Sequence, residues 1–277
     1  MVPCWISFQH KLKQPLLLLY LSNQEKTMSA FGNLFKKKNP QLDEALSFAP
    51  IVADMHSHLL PGIDDGSVDM ENSIELISAL HSMGYKKLIT TPHIFWDMYK
   101  NTTEIIREKE ALVKTELLAR GIDIEFQAAA EYYVDEHFEE LIAKEDILSF
   151  GDKYVLFELS FDTEQINYKR AVFNLQLNGY KPILAHPERY EYWHTNFSKY
   201  EDVADRGIHI QINTNCLTGH YGPGVKRISE RLIDADLVDF IGTDCHHVGH
   251  LNLLEAMRRS PKLKKLIESG RLLNSIL

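Results

Sequence analysis

From residue 51 onward, short apolar runs alternate with longer stretches in which apolar side chains recur every three or four positions. The short runs are IVADMH (51–56), KKLITTPH (86–93), IDIEFQAAAEY (122–132), YVLFELS (154–160), KPILAHPERY (181–190), HIQINTN (209–215) and VDFIGTDCHH (238–247). Their length and β-rich composition predict seven strands with the loops that leave them. MENSIELISALHSMG (70–84) sets Ile74, Ile77 and Leu80 on one face and stops at Gly84, which predicts a helix. Further helices are predicted over 102–121, with Thr102 or Thr103 as cap and Gly121 as stop, over 166–179, over 224–236, and in the C-terminal region. Strands that alternate with helices predict a parallel sheet. Seven such units suit a barrel better than an open sheet.

The first 50 residues fall outside this rhythm. KLKQPLLLLYL sets two lysines before the apolar run 16–21, which is too short for a signal core or a membrane span. No small-residue cleavage site follows it. The composition favours a true start at Met28, with residues 1–27 not native, followed by a solvated basic segment, FKKKNP. The expected organisation is an extension over 1–50 and one catalytic domain over 51–277.

Composition adds limits. Hydrophobic residues at 44% and charged residues at 25% are ordinary for a soluble globular chain. The net charge of −9 argues against nucleic acid as the main partner, because that binding rests on phosphate neutralisation by Lys and Arg. Three cysteines are too few for a disulfide framework and fit a reducing cytoplasm.

The candidate chemistry collects at the strand ends. In a parallel barrel, functional groups sit on the loops at the carboxyl ends of the strands. Strand one ends in His56 and His58 with Asp64 and Asp65 on its loop. The next strands end in His93, Glu131, Glu158 and His186, and strand seven ends in Asp244 and His246. Only strand six, with Asn213 and Asn215, lacks a strong ligand. A lone His-x-His is more often an ordinary polar loop, but five histidines recurring with carboxylates at one end of the strands point to cations. Without them, each buried charge costs several kcal/mol. Imidazole and carboxylate without thiolate favour manganese, iron or zinc over magnesium alone. Alternation turns Cys245 away into packing, and His10, His81, His137, His194, His209 and His220 have no supporting partners. No phosphate-binding Gly-Lys loop, serine elbow or cysteine-phosphatase loop is present.

Taken together, His-x-His, TPH, Glu131, AHPERY and GTDCHH resemble the polymerase-and-histidinol-phosphatase (PHP) superfamily of metal-dependent phosphoesterases. HSHLLPGIDDG with HPERY resembles its branch of bacterial tyrosine-protein phosphatases from capsule and exopolysaccharide operons. The resemblance covers about residues 51–255 and implies an α/β fold, a distorted seven-stranded TIM-like barrel with three divalent ions. By motif, His56, His58, Glu131 and Asp244 would hold the first ion, and Glu131, Glu158 and His186 the second. Asp65, His93 and His246 would hold the third, with Asp65 preferred to Asp64. Arg189 would grip the substrate phosphate, with Glu131 and Asp244 as its catalytic partners. Relatives carry an arginine on the strand-seven loop where this chain reads HHVGHLNLL, so His247 or His250 is expected to replace it. Phe95, Trp96, Tyr132 and Tyr190 are candidates to stack on a phenyl ring.

The implied activity is hydrolysis of protein phosphotyrosine through in-line attack by hydroxide held on the ions. The implied partner is the tyrosine-rich tail of a membrane tyrosine kinase, and the implied role is control of polysaccharide export. The sequence sets neither the oligomeric state nor the native metal. Two rival readings are a PHP phosphatase acting on a small phosphomonoester such as histidinol phosphate, and a non-catalytic metal-stabilised binding module.

Overall fold

A computed structural model describes residues 45–277. The short apolar run, the Met28 start and the basic segment lie outside the described residues. Among the described residues, nine short strands form two sheets, in both of which every pairing is parallel. The smaller sheet has β1 (Ala53–Asp54), β2 (Lys87–Thr90) and β4 (Glu125–Ala128) in the order β1-β2-β4. The larger runs β3-β5-β6-β7-β8-β9, comprising β3 (His93–Ile94), β5 (Glu131–Tyr133), β6 (Tyr154–Glu158), β7 (Lys181–Ala185), β8 (His209–Asn213) and β9 (Phe240–Gly242).

Seven expected strands become nine because the second and third are each cut in two and change sheets at the cut. Pro92 separates β2 from β3 and brings no N–H to a ladder. Ala129 and Ala130 separate β4 from β5. The break is a step rather than an end: Ala129 N donates to Thr90 O and Glu131 N to Pro92 O. At the far side, Asp244 N donates to His56 O at 2.8 Å and His58 N to Cys245 O at 3.0 Å. These bonds draw the first and last strands together at their carboxyl ends. The result is a distorted parallel α/β barrel layout.

Among the described residues, eight α-helices pack outside the strands: α1 (Met70–Ser82), α2 (Thr103–Ala119), α3 (Glu136–Lys144), α4 (Tyr168–Leu177), α5 (Ser198–Asp205), α6 (Pro223–Asp234), α7 (Val248–Met257) and α8 (Pro261–Glu268). The Asp69 side chain caps α1 by accepting from Asn72 N, and Thr102 caps α2 by accepting from Ile105 N. The patterning above did not predict α3 and α5. Each buries only two residues, Phe138 and Ile142 in one and Tyr200 and Val203 in the other, too few to establish a period.

Strand alternation divides the core. Leu88, Val155, Phe157, Leu184 and Ile212 face the helices in one apolar cluster, whereas Met55, Ile89, Leu156, Ile183 and Phe240 form a second, inner cluster. Two residues beyond Leu156, on the same side of β6, comes Glu158. The inner cluster therefore underlies the carboxyl end of the strands, where the polar side chains gather. Phe48, ahead of β1, is also buried and stacks on Tyr85.

Candidate metal centre

His56 and His58 follow β1 on either side of Ser57, which bridges to Cys245, and both imidazoles reach the same group of ligand atoms. Tight backbone approaches permit this. A Cβ on Gly242 would lie 2.6 Å from His56 Cβ, and one on Gly66 would lie 2.3 Å from His58 O. Two other members of the group, His186 (φ 33°) and Asp244 (φ 49°), sit in the left-handed region that non-glycine residues seldom enter. Such strain concentrates where a side chain must be aimed.

The nine expected side chains come together. Four overlapping groups each offer ligand atoms within 4.8 Å of one another: His58, Asp65, His93 and His246; His56, His58 and Asp244; His56, Glu131 and His186; and His93, Glu131 and Glu158. Glu131 is central. Its Oε1 lies 2.9 Å from His186 Nε2, and its Oε2 lies 3.2 Å from both His56 Nε2 and His93 Nδ1. Asp65 Oδ1 lies 3.5 Å from His93 Nε2 and from His246 Nε2. Asp64 is in none of the groups. It stands behind His58, with Oδ2 2.8 Å from His58 Nδ1, while its Oδ1 accepts from Gly66 N.

The outer partners orient the imidazoles. Gln211 Oε1 lies 2.9 Å from His56 Nδ1, and Gln211 Nε2 donates to Asn213 Oδ1. Asn213 Nδ2 donates in turn to Asp244 Oδ2 at 2.6 Å. Strand six of the expected set, which has no strong ligand, thus supplies the braces. A metal-bound imidazole needs its other nitrogen fixed in this way.

The chemistry of the donor set fits divalent cations. Glu131 Oε2, His93 Nδ1 and His186 Nδ1 are buried and make no hydrogen bond among the described residues. Buried polar atoms are normally satisfied. Burial alone would push His93 down, but the neighbouring carboxylates Glu131 and Glu158 raise it to about 9. Burial would raise Glu131 and Asp244, yet the facing imidazoles, His56 first, hold both well below the usual carboxylate range. A cation bound here would take over the charge that the imidazoles offer to these carboxylates.

A cavity of about 300 Å³ opens over this cluster. Its lining includes Arg189, His247, His250, Phe161 and Tyr221. Arg189 Nη1 donates to Asp244 Oδ2 at 3.2 Å. His247 is exposed at the rim; His250 is buried, with Nδ1 2.9 Å from Asp244 O, and burial lowers its pKa to about 4. Arg258, the next arginine along, is tied to Leu46 O and Glu255, away from the cavity.

Of the aromatic candidates, Tyr132 and Tyr190 are core residues. The Tyr132 hydroxyl accepts from Leu148 N, and that of Tyr190 accepts from Leu159 N and donates to Ala185 O. Phe95 stacks on Tyr133. Trp96 is 41% exposed and packs on His137, outside the cavity lining. The aromatic residues that do line the cavity, Phe161 and Tyr221, escaped sequence reasoning because both sit in irregular loops without a motif. Cys245 is buried, as alternation requires.

A parallel α/β barrel layout with an imidazole–carboxylate cluster at the carboxyl ends of its strands has the form of a metal-dependent hydrolase. More narrowly, the chain belongs to the CpsB/CapC family of capsular polysaccharide synthesis, whose family model matches residues 52–269. It is similar to the tyrosine-protein phosphatase YwqE of Bacillus subtilis, with 34% identity over 196 residues, covering 70% of this chain and 77% of the relative. It is also 27% identical to a putative tyrosine-protein phosphatase, CapC, of Staphylococcus aureus, over 78% of this chain and 86% of that one. Among solved structures, one from work on YwqE and on CpsB of Streptococcus pneumoniae, described as unique metal-dependent tyrosine phosphatases, superposes with a TM-score of 0.69. Identity there is 32%, covering 81% of this chain and 94% of the other. A histidinol phosphate phosphatase of Lactococcus lactis shares the fold, with a TM-score of 0.52 at 15% identity.

Proposed function

We propose that this chain is a metal-dependent protein-tyrosine phosphatase. The observation that carries the reading is the convergence of nine imidazole and carboxylate side chains beside one arginine in a single cavity. The similarity to YwqE, CpsB and CapC points to the phosphotyrosyl substrate.

Three divalent ions, manganese first and iron, zinc or magnesium otherwise, fit the donor set, and once bound they supply an acidified water and positive charge against the phosphoryl oxygens. His56, His58, Glu131 and Asp244 would hold one ion, Glu131, Glu158 and His186 a second, and Asp65, His93 and His246 a third. Asp64 and Gln211 hold His58 and His56 in place from behind, and Asn213 holds Asp244. Arg189 grips the non-bridging oxygens, with His247 as a second contact at the rim. Trp96 offers an exposed ring to the residues that flank the phosphotyrosine. In the reaction, a water oxygen joins phosphorus, the bond from phosphorus to the tyrosine oxygen breaks, and that oxygen regains a proton. Phosphoryl transfer needs chiefly positioning and charge, so no protein nucleophile is required.

The partner consistent with this activity is the phosphorylated tail of a membrane tyrosine kinase, met in the cytoplasm, with polysaccharide export as the controlled process. Among the described residues, no helix is long and apolar enough to cross a membrane. The test compares a phosphotyrosyl peptide with histidinol phosphate at equal protein concentration, before and after chelation. The expected result is peptide hydrolysis that the chelator abolishes and manganese restores. Preference for histidinol phosphate, or activity indifferent to the chelator, would overturn the assignment.

A further inference from the structure

The Arg189 side chain is three-quarters buried, and two aromatic rings lie against its guanidinium. Its central carbon lies 4.4 Å from the Phe161 ring centre and 4.6 Å from that of Tyr221. The two rings come from different loops, Phe161 from the one after β6 and Tyr221 from the one ahead of α6. Phe161 also stacks on His186, at 5.5 Å between ring centres, and so spans from the arginine to the histidine cluster. Of the five N–H groups a guanidinium carries, Arg189 uses one in a hydrogen bond among the described residues, to Asp244.

A guanidinium packed against two rings is restricted in orientation, and its N–H groups lie in its plane, along its edge. Stacking satisfies the charge without using those donors. An anchor by carboxylates would occupy the same donors that an oxyanion needs. Among the residues that line the cavity Arg189 is the one arginine or lysine, so its pre-orientation counts for more. Although it packs on Arg189 and His186, the Phe161 side chain stays 42% exposed where it borders the cavity.

We propose that Phe161 and Tyr221 form an aromatic clamp that fixes Arg189 for a phosphoryl oxyanion and, through the exposed part of Phe161, borders the slot for an aryl leaving group. The clamp rests on the phosphatase reading for its substrate, but its action on the arginine can be read without turnover. Both rings are positioning residues.

The experiment measures inorganic phosphate affinity by calorimetry on manganese-loaded protein, and kcat and KM on a phosphotyrosyl peptide. Phe161→Leu and Tyr221→Leu are made alone and in an Arg189→Ala background. Each Leu variant is expected to lose about tenfold in phosphate affinity, with metal content and Tm unchanged. The conservative Tyr221→Phe, which restores the ring, recovers the loss. In the Arg189→Ala background the Leu substitutions cause no further loss, because the rings act through the guanidinium. Phosphate affinity unchanged in both Leu variants, or equal losses with and without Arg189, overturns the clamp. A wild-type protein that binds phosphate through the clamp yet cleaves no phosphotyrosyl peptide overturns the phosphatase reading and leaves the clamp standing.

Discussion

Single side chains at this centre do one of two jobs, facing inward with a donor atom or standing behind and holding another. Asn213 is of the second kind. Removing it leaves Asp244 Oδ2 without its 2.6 Å donor. Asn213→Ala is expected to weaken manganese binding about 10–100-fold with little change in fold, a cost typical of lost outer partners. Metal titration followed by Tm checks this, and unchanged affinity would show that Asp244 needs no brace. Arg189→Lys keeps the charge but loses the planar fork and its stacking. It should raise KM for the phosphotyrosyl peptide and lower kcat/KM by about tenfold or more, with metal content intact. At this scale the sequence showed the inward-facing set, because His-x-His, TPH and HPER place ligand types at predicted strand ends. It concealed the braces, since Gln211 and Asn213 have no motif and act only through residues up to 155 positions away in the chain. It also put Tyr132 and Tyr190 at the cavity, where large rings next to ligands are plausible. The pattern could not reveal that their hydroxyls close backbone groups inside the core.

Elements present these side chains by close backbone approach. Gly242 in β9 touches His56, and a Cβ there would also come within 2.9 Å of Gln211 Nε2. Gly242→Ala is expected to destabilise by about 1–3 kcal/mol, the usual cost of overpacking, and to lower metal occupancy as His56 shifts. A urea titration with and without manganese checks both effects. A stable, fully loaded variant would show that the contact is not needed. On α2, Glu110 is clasped by Arg107 and Lys114, while Arg107 Nη1 also donates to Ala128 O and ties the helix to β4. Burial raises the Glu110 carboxyl, but Lys114 and then Arg107 outweigh it, so the folded pKa lies below its ordinary 4.5. The stability from this group is therefore present above the unfolded pKa and lost as pH falls through the folded one. Glu110→Gln should flatten the loss of stability below about pH 4.5 and leave the slope above it unchanged. An identical acid limb in both proteins would refute the assignment. Element boundaries were legible where Gly84, Gly121 and Gly179 close long helices, each with positive φ. The short helices α3 and α5 and the step at Pro92 were not, because two buried residues carry no period and the step depends on which sheet receives the strand.

For the whole molecule, the barrel layout lets strands far apart in sequence pool their ends around one volume. Parallel strands all finish on the same side, so ligands from residue 56 to residue 246 converge without any long excursion of the chain. The cluster gathers four carboxylates and five imidazoles in one volume, so a cation bound there would be a structural partner as well as a chemical one. Chelation is expected to lower Tm, and readdition of manganese at 100 times its Kd should recover about 2.7 kcal/mol. The barrel class was legible from the alternation of strand and helix, and the site from where ligand-type residues fell within it. The division into two sheets was not, because it depends on pairings that no single strand records. The most direct test of the central claim is an anomalous difference map at the manganese edge from a crystal grown with manganese. The account predicts peaks enclosed by His56, His58, Asp65, His93, Glu131, Glu158, His186, Asp244 and His246, in the cavity that Arg189 lines. A map without peaks among those side chains, from protein that still hydrolyses phosphotyrosine, would contradict it.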